Sequence, residues 1–394
     1  MQAKVALLLF FCVASFSYGD SVQELIDKAR KNNPEIRKIE KELKIQEKKA
    51  KVARKLFNPS ISLTFGGRDA FEKPYRAVTF KISQKIPYPK KLDTIYQIET
   101  KNYEEKYFFL LSKKNEIIQK IYESVYRLWL IREKIKIYKK YIELTEKIKS
   151  EIEENFSYGD RLKFLIIVEN LYKEKQSLLI DEKIEFSNIE SLINDTLNDI
   201  NINLKIVNID VTPETLLEEM KDKSPLLQSY RKRLERLSKS LKLSKMIYYP
   251  DLSLSLRTTP EDRLQDSFSV GIGVNIPIWR TIRQEQIVLE AQLKKVSIEE
   301  EIRYIENLLR YQLLSSYYRI KKNRYIYNLI NNSLKSKHGM NIQISKMEFL
   351  EGKRDISDLI IAIRDSLNSE IEAVESIYNT NVEYINIKAL LGEL

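Results

Sequence analysis

Cysteine occurs once in this chain, at Cys12, and histidine once, at His338. A single thiol excludes a disulfide framework, and the pair leaves no cysteine–histidine set at metal-ligand spacing. Glycine (9) and proline (10) are scarce for 394 residues, which argues against a loop-rich globule and for long regular elements. Beyond the first twenty residues no run of 18 apolar residues occurs, so no helix is expected to cross a bilayer. There is no phosphate-binding glycine loop and no nucleophile–base pair, so neither catalysis nor a cofactor is expected.

Charge is plentiful: Asp, Glu, Lys and Arg make up 31% of the residues and the net charge is +11. The basic residues are mixed with glutamate along helical stretches, as in Lys38 to Lys55. That pattern marks a solvated helix face rather than a nucleic-acid surface. Residues 1–19 carry one basic residue, Lys4, then the apolar run Val5 to Phe16 and a small-residue end at Ser17-Tyr18-Gly19. This reads as a cleaved signal peptide.

Helical periodicity fails at two places, Asn58 to Tyr88 and Tyr249 to Trp279, where apolar residues recur every second position. Ile61, Leu63 and Phe65, then Val78, Phe80 and Ile82, form the first hairpin pattern. Leu252, Leu254 and Leu256, then Phe268, Val270, Ile272, Val274 and Ile276, form the second. The intervening residues are small or polar, among them Ser62, Thr79, Lys81, Ser253, Ser255, Gly271 and Gly273. These are strands with one apolar face, at about 60–67, 76–86, 251–258 and 267–277, long enough for tilted transmembrane strands.

The two hairpins belong to a duplication. Pro34 pairs with Pro225 and Pro59 with Pro250 at a separation of 191, Pro87 with Pro277 at 190, and Gly159 with Gly352 at 193. Each copy reads helix, hairpin, long helix, turn, helix. The domains expected are the first repeat at 20–200, a linker at 201–213 with a short alternating piece at Leu204 to Val207, and the second repeat at 214–394.

In the first copy one helical segment is expected from Ser21 to Phe57, with Pro34 in its first turns. A long helix follows from about Lys91 to Asn155, with Ile117, Ile121, Leu128, Ile131, Ile135, Tyr138, Ile142 and Ile152 at coiled-coil spacing. Gly159 is expected to close it in the left-handed conformation. The return helix is expected to bury Leu165, Val168, Tyr172, Leu179, Phe186, Ile189 and Ile193. In the second copy, one helix is expected over Thr215 to Met246, and Lys337-His338-Gly339 is expected to kink the long helix. His338 reads as structural.

Four strands cannot close a barrel, and open edges in lipid leave backbone groups unpaired. Three chains would supply twelve strands around a water-filled interior, so the fold expected is mainly α with a shared transmembrane β-barrel on a coiled-coil tunnel. Phe57, Tyr88, Tyr248, Tyr249 and Trp279 would sit at one membrane interface, and Phe71 and Tyr75 at the other.

The ordered motifs Asn33-Pro34, Asn58-Pro59, Ser83 to Leu92, Tyr249 to Leu252, Val274 to Trp279 and Ile387 to Gly392 resemble those of TolC-type outer-membrane efflux proteins over the whole mature chain. The resemblance implies a homotrimeric duct in the outer membrane with a periplasmic helical domain. A periplasmic adaptor protein and an inner-membrane pump would load it in a tripartite efflux or type I secretion system. It also implies a periplasmic gate at Arg354, Asp355 and Asp358, with Ile361 where family members carry a second acidic residue. Adaptor docking is implied at the tips Tyr158, Gly159, Asp160, Arg161, Gly352 and Lys353. Two other readings are a periplasmic adaptor with helical hairpins and a passive porin. A porin carries a full strand set in one chain, and an adaptor shows one helical hairpin rather than two.

Overall fold

The structure is a computed structural model that describes residues 21–66, 77–152, 157–259, 267–278 and 280–394. The expected signal peptide, Phe71, Tyr75 and Trp279 lie outside the described residues.

The chain runs α1 (Val22–Asn32), α2 (Pro34–Val52), β1 (Ser60–Gly66), β2 (Ala77–Ile86), α3 (Pro89–Ile152) and α4 (Tyr158–Ile193). It then repeats this order as α5 (Pro213–Lys223), α6 (Pro225–Lys245), β3 (Asp251–Thr259), β4 (Ser267–Asn275), α7 (Glu285–Leu329) with α8 (Lys335–Leu350), and α9 (Ile356–Leu391). The architecture is mainly helical with one four-stranded antiparallel sheet in the order β1-β2-β3-β4.

Each proline near the start of a copy does more than bend an entry. A residue before proline is pushed out of the helical region. Asn33 is extended (φ −61°, ψ 123°) and Ser224 similarly non-helical (φ −55°, ψ 116°). The single helices expected over Ser21 to Phe57 and Thr215 to Met246 are therefore each two helices. Ser21 caps α1, accepting from the Glu24 amide at 3.2 Å while its own amide donates to the Glu24 carboxylate at 2.8 Å. The Asn33 side chain donates to the Leu192 carbonyl at 2.9 Å, satisfying an acceptor at the end of α4.

The expected kink at Lys337 to Gly339 is absent. Those residues lie inside α8, and the irregularity falls upstream, as a wide π-type turn at Ile330–Leu334. A second π-type turn, Arg280–Gln284, precedes α7. The second copy holds three more residues than the first between its proline and its glycine. A π turn takes one residue more than an α turn, so each of these turns adds a residue to the second copy's long helical stretch.

The chain forms two compact units. Of the described residues, those within Met1–Asn33, Ile117–Asp210 and Ser316–Asn386 make up the first, and those within Pro34–Glu116, Val211–Ser315 and Ile387–Leu394 the second. The largest core of the first unit gathers the C-terminal part of α3, the N-terminal part of α4, α8 and the N-terminal part of α9. Tyr141, Phe164, Ile356, Leu359 and Ile363 are almost fully buried there. Ile356, Leu359, Ile363 and Leu367 follow helical spacing, so one face of α9 turns inward.

The α4 stripe differs from the expected one. Phe164, Ile167, Val168 and Leu171 are buried, whereas Leu165 and Tyr172 are exposed. Residues 164–168 are all apolar, so periodicity could not choose a face and packing into the core shared with α3, α8 and α9 did. The linker forms no strand at Leu204 to Val207. It runs along α9 instead, where the Asn381 side chain donates to the Lys205 carbonyl at 2.8 Å. Arg132 of α3 holds its start, donating to Asp199 at 2.7 Å, to Glu182 at 2.7 Å and to the Ile200 carbonyl at 2.5 Å.

In the second unit the chain ends on a left-handed glycine. Gly392 (φ 78°) closes α9, with Glu393 N–H donating to the Lys388 carbonyl and Gly392 N–H to the Ala389 carbonyl. A Cβ on Gly392 would meet the Pro225 ring at 2.8 Å, so the glycine is required both by conformation and by the proline break it packs against.

Candidate functional site

The register of the sheet fixes which residues share a face. Ile61 pairs with Ile82, Leu63 with Phe80, Ile82 with Leu256, Leu254 with Ile272, and Leu256 with Val270. This face is uncovered: Leu63 is 58% exposed, Phe268 69% and Ile272 76%. On the opposite face Ser60, Ser83 and Ser255 lie in register, with the Ser60 and Ser83 hydroxyls 2.8 Å apart. Gly271 and Gly273 sit across from Ser255 and Ser253, so closely that a Cβ would meet the serine oxygens at 2.8 and 2.5 Å. The sheet is therefore apolar on one side, small and polar on the other, and open at β1 and β4.

The two hairpins are joined at their base. Asp251, the first residue of β3, accepts from the Tyr88 amide at 2.9 Å and from Lys91 Nζ at 2.7 Å. Lys91 also donates to the Tyr249 carbonyl at 3.4 Å. The Tyr88 and Tyr249 rings stack 4.8 Å apart at 11°. Two of the expected interface aromatics are thus brought together, while Phe57 stands 62% exposed after α2 and Tyr248 is half-buried in a short 3-10 turn. The clamp was not foreseen. Its only trace in sequence is an acid after Pro250 and a base after Pro89.

The helix reversals belong to the first unit. Gly159 is not the left-handed closing residue: it lies in the first turn of α4, behind Ser157. Ser157 accepts from the Asp160 amide at 3.1 Å and donates from its own hydroxyl to the Asp160 carboxylate at 2.6 Å. Tyr158 is 88% exposed, and Arg161 is exposed beside it. The second reversal does use a left-handed glycine, Gly352 (φ 69°). Lys353 N–H donates to the Glu348 carbonyl and Gly352 N–H to the Phe349 carbonyl, the double closure typical of such ends. Lys353 pairs with Glu351, and Arg354 with Glu348 at 2.8 Å.

Asp355 and Asp358 differ in their engagement. Asp355 caps α9, accepting from the Ser357 amide at 2.7 Å and from Lys163 Nζ at 3.0 Å. The bonds from Ser357, then the one from Lys163, hold its carboxyl down at about 2. This pair also ties the start of α9 to the first turns of α4. Asp358 is exposed in the first turn of α9 and, among the described residues, makes no ion pair; Ile361, 53% exposed, lies one turn on. Nearby, Tyr141 is hydrogen-bonded to Ser366 at 2.6 Å and burial pushes its phenol pKa up.

No protein-family model matches the sequence, and no curated protein does. Solved structures do. The structure of CusC, described for its transmembrane channel formation, matches with a TM-score of 0.79 at 11% identity, over 96% of this chain and 95% of that one. The outer membrane protein VceC of Vibrio cholerae matches with a TM-score of 0.80 at 12% identity, over 94% and 96%. The CmeC outer membrane channel of Campylobacter jejuni matches with a TM-score of 0.76 at 15% identity, over 94% and 85%. At such low identity the likeness is one of backbone architecture, and it spans nearly the whole of each chain: this protein has the fold of these outer-membrane channel proteins.

Proposed function

We propose that this chain is the exit duct of an export machine: a homotrimer whose shared twelve-stranded barrel lies in the outer membrane, with its helices in the periplasm. A leader, residues 1–19, would direct it there, and the two repeats at 20–200 and 214–394 would contribute two strands each. The observation that carries the proposal is the uncovered apolar face of an open four-stranded sheet. In water such a face is a liability, and in lipid its free edges are tolerable only if other copies close the barrel. The structural neighbours, themselves outer-membrane channels, support the same reading. So does α7, where Tyr304, Tyr311, Tyr318 and Tyr325 recur every seven residues and stand exposed, as a seam awaiting a helix of another copy does.

In this reading a duct has no chemistry of its own. A periplasmic adaptor and an inner-membrane pump load it, the adaptor docking at Tyr158 to Arg161 and at Gly352 and Lys353. Asp358, which makes no ion pair among the described residues, is the gate residue of choice, because rings of charge select ions. Asp355 and Arg354, engaged by Lys163 and Glu348, hold the turn that presents it.

The test is to express the full chain, separate the membranes and measure the mass of the detergent-extracted protein. A trimer from the outer membrane is expected, with altered conductance in Asp358→Asn. A monomer recovered from the periplasm without detergent would overturn the proposal and favour the adaptor.

A further inference from the structure

The two hairpins meet along β2 and β3, and their register decides which charged side chains share the polar face. Lys81 of β2 stands opposite Arg257 of β3, and Lys85 opposite Ser253. All three cations are exposed, and among the described residues none has an ion-pair partner. The one described acid of the strands, Asp251, is already taken by Lys91 at 2.7 Å. Like charges set opposite one another on adjacent strands destabilise a sheet, so the Lys81–Arg257 pair is a cost that folding does not call for.

Their surroundings are small. Lys81 has Ser62 on its other side, and Arg257 has Ser269. Gly271 and Gly273 cannot carry even a methyl group without meeting a serine hydroxyl. Three long cationic side chains thus rise from a floor of small residues, and among the described residues no acid on that face is free to neutralise them.

We propose that Lys81, Lys85 and Arg257 form a cationic girdle inside the barrel, so that the outer end of the duct admits anionic solutes in preference to cations. The inference rests on the barrel reading above, which makes the polar face the wet one. Every protomer repeats the trio, and a low-dielectric wall concentrates the field of such a ring.

Two measurements test it. In a Cys12→Ala background, Ser269→Cys places a thiol on the polar face opposite Arg257, and Val270→Cys places one on the apolar face. Cells bearing each variant are treated from outside with an anionic sulfonate thiol reagent or a cationic ammonium one. At Ser269→Cys the anionic reagent is expected to react about tenfold faster than the cationic one, and K81Q/K85Q/R257Q to abolish that preference. Equal rates with and without the three cations would overturn the girdle while leaving the barrel standing. Reaction at Val270→Cys but not at Ser269→Cys would overturn the barrel, and the girdle with it. In planar bilayers under a potassium chloride gradient, the reversal potential of the purified channel should move toward the cation-selective side in the triple variant, whatever sign the Asp358 ring in series gives the parent. A potential unchanged by the triple variant would overturn the proposal.

Discussion

The sheet and the helical core around the reversals put the same kinds of apolar residue to opposite uses. In the helical core Leu359 and Ile363 are fully buried and Asp358 faces out. In the sheet Phe268, Val270 and Ile272 face out, and the serines and glycines pack in register on the other side. Hydrophobicity alone does not say where a side chain goes. What lies against the face decides, and for the sheet nothing among the described residues covers it.

The sharpest way to break this contrast is to put a charge on each face of the sheet. Ile272→Arg should cost about 2–4 kcal/mol per chain if lipid covers that position, and the oligomer should vanish from the membrane fraction on semi-native gels. Thr64→Arg, on the polar face, should leave it in place. A similar test applies to the helical core. Leu359→Ala should cost about 2–5 kcal/mol in thermal unfolding followed by circular dichroism, because it opens a cavity. Ile361→Ala, two residues on and exposed, should change stability by about 0.5 kcal/mol or less. An equal loss at both positions would mean that another copy covers Ile361 as completely as this chain covers Leu359.

Glycines supply a smaller contrast. Gly392→Ala should lower stability by about 1–2 kcal/mol from its left-handed backbone, and further through the Pro225 contact. Gly339→Ala should raise it by about 0.5–1 kcal/mol, since that glycine lies inside α8 with open space where a Cβ would go. The smallest effect concerns acid. The Asp355 pKa is lowered in the folded state, so its contribution is present above the ordinary carboxylate range and lost as pH falls from about 4 toward 2. Melting temperatures measured at pH 5 and pH 2.5 should therefore converge in Asp355→Asn relative to the parent.

Much of this architecture is written locally. Two-residue alternation places the strands within one or two residues of their bounds, because side chains on a pleated chain have no other period. The paired prolines mark the duplication because proline acts on its own backbone and on that of its predecessor. Even so, Asn33 and Ser224 break their helices outright, where one continuous helix was expected in each copy. The Gly159 turn was misplaced because a glycine permits a left-handed conformation without requiring it, and the Ser157–Asp160 capping box fixed a helix start there instead.

Tertiary structure decided what locality cannot reach. Which of five consecutive apolar residues in α4 turns inward depends on the core it shares with α3, α8 and α9, the last nearly two hundred residues away. The Asp251–Lys91 clamp and the alignment of Lys81 with Arg257 depend on the β2–β3 pairing, which joins the two copies across the whole of α3 and α4. Sequence determined the periods, the breaks and the two-faced character of each strand, because those arise from one residue and its near neighbours. The register between distant strands and the inward face of each helix were decided only when the elements packed, because burial is a property of the pair and not of either partner.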